Sequence, residues 1–327
     1  MSKEDMEFVE IEQEEKKKSK VLVVLSVILL VLVLGVVSIY VGIVNSLKEG
    51  TVEIVKEEEL TEESLLSQNV PIITEEQIED HVFNVLLVGI DTKESGSFSG
   101  RSDTMMLVSY NEFENKASIV SFMRDSLVEV PGYGQTKLGH SYAYGGVGLT
   151  INTINKVYDL DIQNYVTINF ENMQNVIDRM GGIEVPLTAE EAAYLNRVRK
   201  TNFVEGINVM NGQEALWHAR NRSLDNDFGR TRRQRSVMNG IYRKVMETKN
   251  PETLSALIGY CLTQVKTNMD VSTITDMAVK VLSKDDLTVK QTSVPAAGTY
   301  SSETYEGMSV LKVDIEENKK ILRDYLY

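Results

Sequence analysis

The sequence of 327 residues has only one cysteine and three histidines. Cys261 cannot close an intramolecular disulfide, so the fold must stand on packing. With no nucleophile partner or metal-ligand spacing around it, its thiol reads as a small buried hydrophobe. His81 opens an apolar run, His140 lies in KLGHSY and His218 in WHAR. So scattered, they form no site by spacing and read as hydrogen-bonded structural residues. A basic excess is missing too. At a net charge of −14 the chain lacks the cationic footprint that phosphate-backbone binding requires, which excludes a general nucleic-acid binder. There is no internal repeat, and the Gly145-Gly146 pair is too short and too poorly spaced for a P-loop or dinucleotide signature.

What is present begins with an uncharged apolar run, Val21 to Val44. At about 1.5 Å per residue it is long enough to cross a hydrocarbon layer of about 30 Å, and it reads as one transmembrane helix. It is too long for the core of a cleaved signal peptide, and no small-x-small site follows it. Lys16, Lys17, Lys18 and Lys20 precede it, which makes residues 1–20 a cytoplasmic stub and puts the C-terminal part outside the membrane. The stub is too short for a helix-turn-helix module. Residues 45–80 carry eleven acidic side chains and read as a solvated stalk. Residues 81–327 read as one domain, since a chain of 42% hydrophobic content can bury one good-sized core.

VFNVLLVGI, from Val82 to Ile90, is almost continuously apolar, as expected of a strand covered on both faces. Thr104–Tyr110 and Ala117–Met123 read as two further strands joined by the polar turn NEFENK. Such a meander brings Asp91, Arg101, Asp103, Arg124 and Asp125 to one edge of a sheet. Helices are expected over 148–160 and 171–180, with NYVTINF as a strand between them. This alternation predicts an α/β fold, a central mixed sheet flanked by helices on both faces. His140 and Lys137 sit in or beside a glycine-rich loop, SYAYGGVG, placed to close over a ligand.

Arg220 to Arg235 holds six arginines and no lysine. Arginine offers a planar fork that matches phosphate oxygens, although a run of charge is also what a solvated helix face looks like. Periodicity favours the first reading: positions 230, 234, 237, 241 and 245 share a stripe that ends in Val237, Ile241 and Val245, so Arg230 and Gln234 point inward. An inward guanidinium needs a carboxylate, with Asp225 and Asp227 at hand, or a bound phosphate. Arg220 and Arg222, at i and i+2, cannot share a helical face and read as an extended segment or a helix end, with both forks converging on phosphates. Two carboxylates at one sheet edge, Asp91 and Asp103, either hold a hard cation, Mg²⁺ or Mn²⁺, or each pair with a neighbouring arginine.

NVLLVGIDT (84–92), GRSDTMML (100–107), SFMRDS (121–126), DRMGGIEV (178–185), MNGQEALWHARNR (210–222) and DFGRTRRQ (227–234) together resemble the LytR-CpsA-Psr family of cell-wall glycopolymer ligases. The resemblance implies an enzyme that takes an anionic glycan from an undecaprenyl-pyrophosphate carrier and joins it to peptidoglycan through a phosphodiester. It implies a Mg²⁺ ion on Asp91 and Asp103, and pyrophosphate binding by Arg101, Arg124, Lys137, Arg220, Arg222, Arg230 and Gln234. Of these, Asp91, Asp103, Arg101 and Arg124 would be catalytic. It also implies a membrane-anchored protein in a Gram-positive envelope and a lipid groove between the sheet and the helices near 148–160 and 171–180. Met123 stands where the family usually has proline, which predicts a less rigid exit from the third strand. The residues leave two other functions open, a polyprenyl-pyrophosphate hydrolase and a non-catalytic membrane regulator or glycan-binding protein.

Overall fold

A computed structural model describes residues 81–92, 98, 100–225, 227–248, 251–270, 273–274, 277, 280 and 288–327. The expected stub, transmembrane helix and stalk lie outside the described residues. In chain order the elements are β1 (Val82–Asp91), β2 (Arg101–Asn111), β3 (Lys116–Phe122), β4 (Ser126–Val130), β5 (Gly134–Lys137), α1 (Ser141–Tyr158), β6 (Asn164–Asn169) and α2 (Phe170–Arg179). They continue with β7 (Ile183–Leu187), α3 (Ala189–Arg199), β8 (Gly206–Met210), α4 (Gly212–Arg220), α5 (Asp227–Glu247), α6 (Pro251–Thr263) and β9 (Lys266–Thr267). The C-terminal part adds β10 (Thr288–Val294), β11 (Tyr300–Tyr305), β12 (Met308–Val313) and α7 (Ile315–Leu326).

The expected meander forms the middle of a six-stranded mixed sheet ordered β10-β3-β2-β1-β6-β9. β2 runs antiparallel to β1 and β3, whereas β6 lies parallel to β1 and β10 parallel to β3. Asn111 closes the β2–β3 turn, its side-chain oxygen accepting the N–H groups of Phe113 and Glu114 at 3.1 and 3.0 Å.

The sheet divides two apolar cores, so strand residues alternate between two buried destinations and the sequence reads as a continuous apolar run. Leu86, Val88, Ile90, Met105 and Leu107 face α1, α7 and the small sheet β11-β12-β4-β5. Val85, Val108, Tyr110 and Val166 face α2, α4, α5, α6 and the β7–β8 hairpin. Helices thus cover both faces, as expected.

Two expectations change. The glycine-rich segment after Lys137 is not a loop: a single 3₁₀ turn, Leu138–His140, leads directly into α1, which therefore starts well before residue 148. Gly145 (φ −152°) and Gly146 (φ +65°) kink the helix behind its first turn, which is why the composition resembled a loop. The exit of β3 is not loosened either. Met123 is buried and its N–H donates to the Val294 carbonyl at 2.8 Å, a bond that proline lacks the hydrogen to make.

α4 is held by a close approach to α2. Asn211 and Glu214 form a capping box at its start, and the Gly212 N–H donates to Asp178 at 2.7 Å. A Cβ at Gly212 would overlap the Gln174 carbonyl. Gly212→Ala should therefore force the helices apart and cost about 1–3 kcal/mol. A urea unfolding midpoint equal to that of the wild type would show that this contact tolerates a methyl group.

Candidate functional site

The meander delivers its charged residues to one edge. β1 ends at Asp91, opposite Arg101 of β2. Gly89 pairs with Thr104 and Ile90 with Ser102, leaving Asp103 as the extra residue of a β-bulge, a feature that re-aims a side chain at a strand end. Arg124 follows β3 directly and reaches three carboxylates: it bonds Asp103, and its Nε lies 3.4 Å from Asp227 and 3.6 Å from Asp125. Lys137, the last residue of β5, donates to Asp125 at 2.7 Å.

The arginine-rich segment meets this edge from the other side. α4 ends at Arg220, Asn221 is extended (φ −63°, ψ 129°), and Arg222 follows. Arg220 donates to both oxygens of Asp91, at 3.1 and 3.0 Å, and Arg222 to Asp103 at 3.1 Å. Both arginines lie at a helix end and its extended continuation, each forks onto a different carboxylate, and the aspartates thus pair with arginines, one of the two readings open for them. Arg101 is exposed and makes no ion pair among the described residues.

Arg230 and Gln234 point inward, 3% and 8% exposed. Arg230 donates to Asp227 at 3.0 Å, but its Nε and Nη1 are buried with no acceptor among the described residues. Burial pushes its pKa down, the charges of Arg124 and Arg222 push the same way, and Asp227 only partly compensates. Six cations, Arg101, Arg124, Lys137, Arg220, Arg222 and Arg230, thus surround four carboxylates, Asp91, Asp103, Asp125 and Asp227. Asp125 and Asp227 are near enough to shift each other's ionisation. Burial raises Asp227, and the neighbouring Asp125 adds to that rise. Burial works against Asp125 as well, yet Lys137 and Arg124 outweigh it and hold that carboxyl below its usual range.

Beside this cluster the sheet, α2, α4, α5 and α6 line an apolar cavity that opens to solvent. Its walls are apolar, among them Leu87, Met106, Val166, Met173, Val237 and Ile241, with Thr104, Asn169, Arg220 and Gln234 as polar exceptions. Arg220 is also fixed there by stacking 4.5 Å above the ring of Phe170. A tight crevice lined by Asp103, Arg124, Arg230 and Gln234 shares Thr104, Met106 and Gln234 with the cavity, so the charged and apolar spaces are contiguous. α2 borders the cavity as expected. α1 does not, since it packs on the opposite face of the sheet, and α4, α5 and α6 take its place. Cys261 is part of the wall, its thiol pushed up to about 12 by burial, which fits the expected small hydrophobe.

The LytR_cpsA_psr family model matches residues 42–324. The chain belongs to the LytR-CpsA-Psr family. It is 32% identical over 248 residues to the polyisoprenyl-teichoic acid–peptidoglycan teichoic acid transferase TagU of Enterococcus faecalis, covering 74% of this chain and 78% of that protein. It is 28% identical over 249 residues to the regulatory protein MsrR of Staphylococcus aureus, covering 76% and 75%. Among solved structures it is similar to Bacillus subtilis YwtF (TagT) with bound octaprenyl pyrophosphate lipid, with a TM-score of 0.58, 26% identity and coverage of 75% and 90% of the two chains.

For this LytR-CpsA-Psr chain the donor set at the sheet edge fits a hard cation. Asp91 and Asp103 supply carboxylate oxygens only, and no cluster of three or more potential protein ligands exists among the described residues. Mg²⁺ suits such a site, because it typically takes one or two carboxylates and completes its shell with water and phosphate oxygens.

Two groups escaped the sequence reading. Arg233, 1% exposed, donates to the Asn221 carbonyl at 2.6 Å and to both oxygens of Asp225 at 2.7 and 2.9 Å. It fixes the backbone between Arg220 and Arg222. Its place at i+3 from Arg230 and i−4 from Val237 was the available signal. His218, one turn before Asn221, is structural but not hydrogen-bonded: both ring nitrogens are buried without a partner among the described residues. Burial pushes its pKa down to about 4, with Arg233 and Arg232 adding to the effect and Glu191 opposing it. A histidine depressed from 6.5 to about 4 is neutral when folded, so the unfolded chain binds the extra proton. Stability from this group is complete above the unfolded value and lost as pH falls toward the folded one, amounting to roughly 3 kcal/mol. Urea unfolding between neutral pH and about pH 4 should therefore show a shallower loss for His218→Gln than for wild type. Parallel pH profiles would remove His218 as the titrating group.

Proposed function

We propose that this chain is a membrane-anchored phosphotransferase that joins an anionic glycopolymer, carried on undecaprenyl pyrophosphate, to peptidoglycan through a phosphodiester bond. The observation that carries the reading is Arg230: two of its guanidinium nitrogens are buried without acceptors among the described residues, at the crevice that adjoins the apolar cavity. A buried, incompletely satisfied cation beside like charges calls for an anion, and the contiguous apolar space calls for a lipid tail. A polyprenyl pyrophosphate supplies both. The relative named as a teichoic acid transferase and the similar structure with bound octaprenyl pyrophosphate support the same assignment.

In this reading the tail lies against Leu87, Met173 and Val237, and the pyrophosphate meets Arg101, Arg124, Lys137, Arg220, Arg222, Arg230 and Gln234. Asp91 and Asp103 would hold Mg²⁺, or Mn²⁺, whose chemistry is to offset charge on the phosphate oxygens. The acceptor hydroxyl attacks the glycan-side phosphorus, and undecaprenyl phosphate leaves as an anion. The arginine forks oppose the developing charge, which suits a reaction that asks the protein mainly for positioning and electrostatics. A regulatory role without turnover is the second reading, supported by the similarity to the Staphylococcus aureus regulatory protein MsrR.

One lipid experiment tests the site. With the full chain in detergent and polyprenyl pyrophosphate as probe, Arg222→Lys keeps the charge but loses the fork, and should weaken binding by about ten- to a hundredfold. Asp91→Asn and Asp103→Asn should stay folded but lose Mg²⁺-dependent transfer. Full binding by the lysine variant together with full transfer by both asparagine variants would sink the reading, and lipid binding by wild type without transfer to peptidoglycan would favour the regulator.

The charge-free run at Val21–Val44, with its preceding lysines, supports an N-terminus in the cytoplasm and a domain outside the cell membrane of a Gram-positive envelope. A phosphatase reporter active only outside the cytoplasm, fused after Tyr327, should be active in whole cells. Silence of that reporter, with activity of a cytoplasm-only reporter at the same point, would reverse the topology.

A further inference from the structure

On the face of the sheet opposite the apolar cavity, two aromatic side chains stand in solvent. Tyr133, in the turn between β4 and β5, is 55% exposed, and Tyr144, in the first turn of α1, is 43% exposed. Their rings stack with centroids 4.5 Å apart and planes 14° from parallel, and the Tyr133 hydroxyl donates to the Tyr144 carbonyl at 3.3 Å. Stacking covers one face of each ring and leaves outer faces exposed to water. The kink behind Tyr144 permits this. Gly146 takes a left-handed φ of +65°, and the kink there leaves Ala143 to Gly145 exposed while Ser141 and Tyr142 before them stay buried.

A short chain of contacts joins the stack to the site. The Gly139 N–H donates to the Arg124 carbonyl at 2.8 Å, and a Cβ at Gly139 would lie 3.0 Å from that of Arg124. His140, next in sequence, has its Nδ1 2.9 Å from the Thr136 hydroxyl and meets Tyr144 edge-on at 6.0 Å between centroids. The tyrosines therefore rise on the side of Arg124 and Lys137, across the sheet from the apolar cavity.

We propose that Tyr133 and Tyr144 form a stacking platform for a pyranose ring. This rests on the pyrophosphate reading above: with the tail in the cavity on one side of the phosphates, the sugar end projects to the other. Stacking suits such a ligand because a pyranose turns a row of C–H bonds toward the electron-rich ring face while its hydroxyls stay hydrated. The sugar is either the first residue of the carried glycan or a residue of the peptidoglycan acceptor, and both offer the same C–H face.

Binding to the full chain in detergent decides between them, with three probes: polyprenyl pyrophosphate, polyprenyl-pyrophosphoryl-N-acetylglucosamine, and muramidase-released peptidoglycan fragments. Tyr133→Ala should weaken one sugar-bearing probe by about tenfold while leaving the sugar-free lipid within about twofold. Tyr133→Phe and Tyr144→Phe, which keep the ring face, should bind as wild type does. Loss on the sugar-bearing lipid assigns the platform to the donor, and loss on the fragments assigns it to the acceptor. Unchanged binding of both sugar probes overturns the proposal. So does an equal loss on the sugar-free lipid, which would make the stack a prop for Lys137 and Arg124. If wild type fails to bind the sugar-free lipid, the underlying pyrophosphate reading falls and the fragment arm alone decides the platform.

Discussion

Arg124 bonds Asp103 on β2 and lies within ion-pair distance of Asp125 beside it and Asp227 at the start of α5. Its charge therefore ties the end of the meander to the helix that presents Arg230 and Gln234. Burial works against that charge, yet the three carboxylates raise its pKa, so the guanidinium stays ionised deep in the edge. Without this junction Asp227 would lose one of its two arginine partners, and the like charges of Arg124, Arg222 and Arg230 would have no common carboxylate framework to hold them close. The remaining geometry is arranged around it: α4 brings Arg220 and Arg222 to Asp91 and Asp103, and buried Arg233 locks the backbone between them.

The six-stranded sheet gives the molecule two chemically different sides. On one, α2, α4, α5 and α6 leave an apolar hollow; on the other, α1, α7 and the small sheet close a solid core and raise a polar and aromatic rim. The charged edge lies between them. A ligand with an oily end, an anionic middle and a hydrated end matches that order, and a nucleotide or free phosphate would leave the hollow unused.

Much of this was legible because the controlling signals are local. Apolar runs broken by short polar turns gave the meander, and the meander alone collected Asp91, Asp103 and Arg124. The stripe that ends in Val237 and Ile241 turned Arg230 and Gln234 inward correctly. Other features depended on contacts distant in sequence. Nothing near Met123 announces that its N–H reaches Val294, and nothing in the arginine run says that Arg233 will find the Asn221 carbonyl. Tyr133 and Tyr144 meet only because the β4–β5 hairpin folds beside a kinked helix. Gly145-Gly146 misled for a related reason: composition signals a break in the chain but not whether helix continues on both sides of it.

The bulge at Asp103 changes the phase of this strand. A strand with one residue too many is out of phase with itself: the alternation of Arg101 and Ser102 does not carry through to Thr104 and the core positions beyond. The charged tip and the apolar body of β2 are thereby uncoupled in frame. One extra residue thus sets the side-chain phase of the charged tip apart from that of the two-core body of the strand.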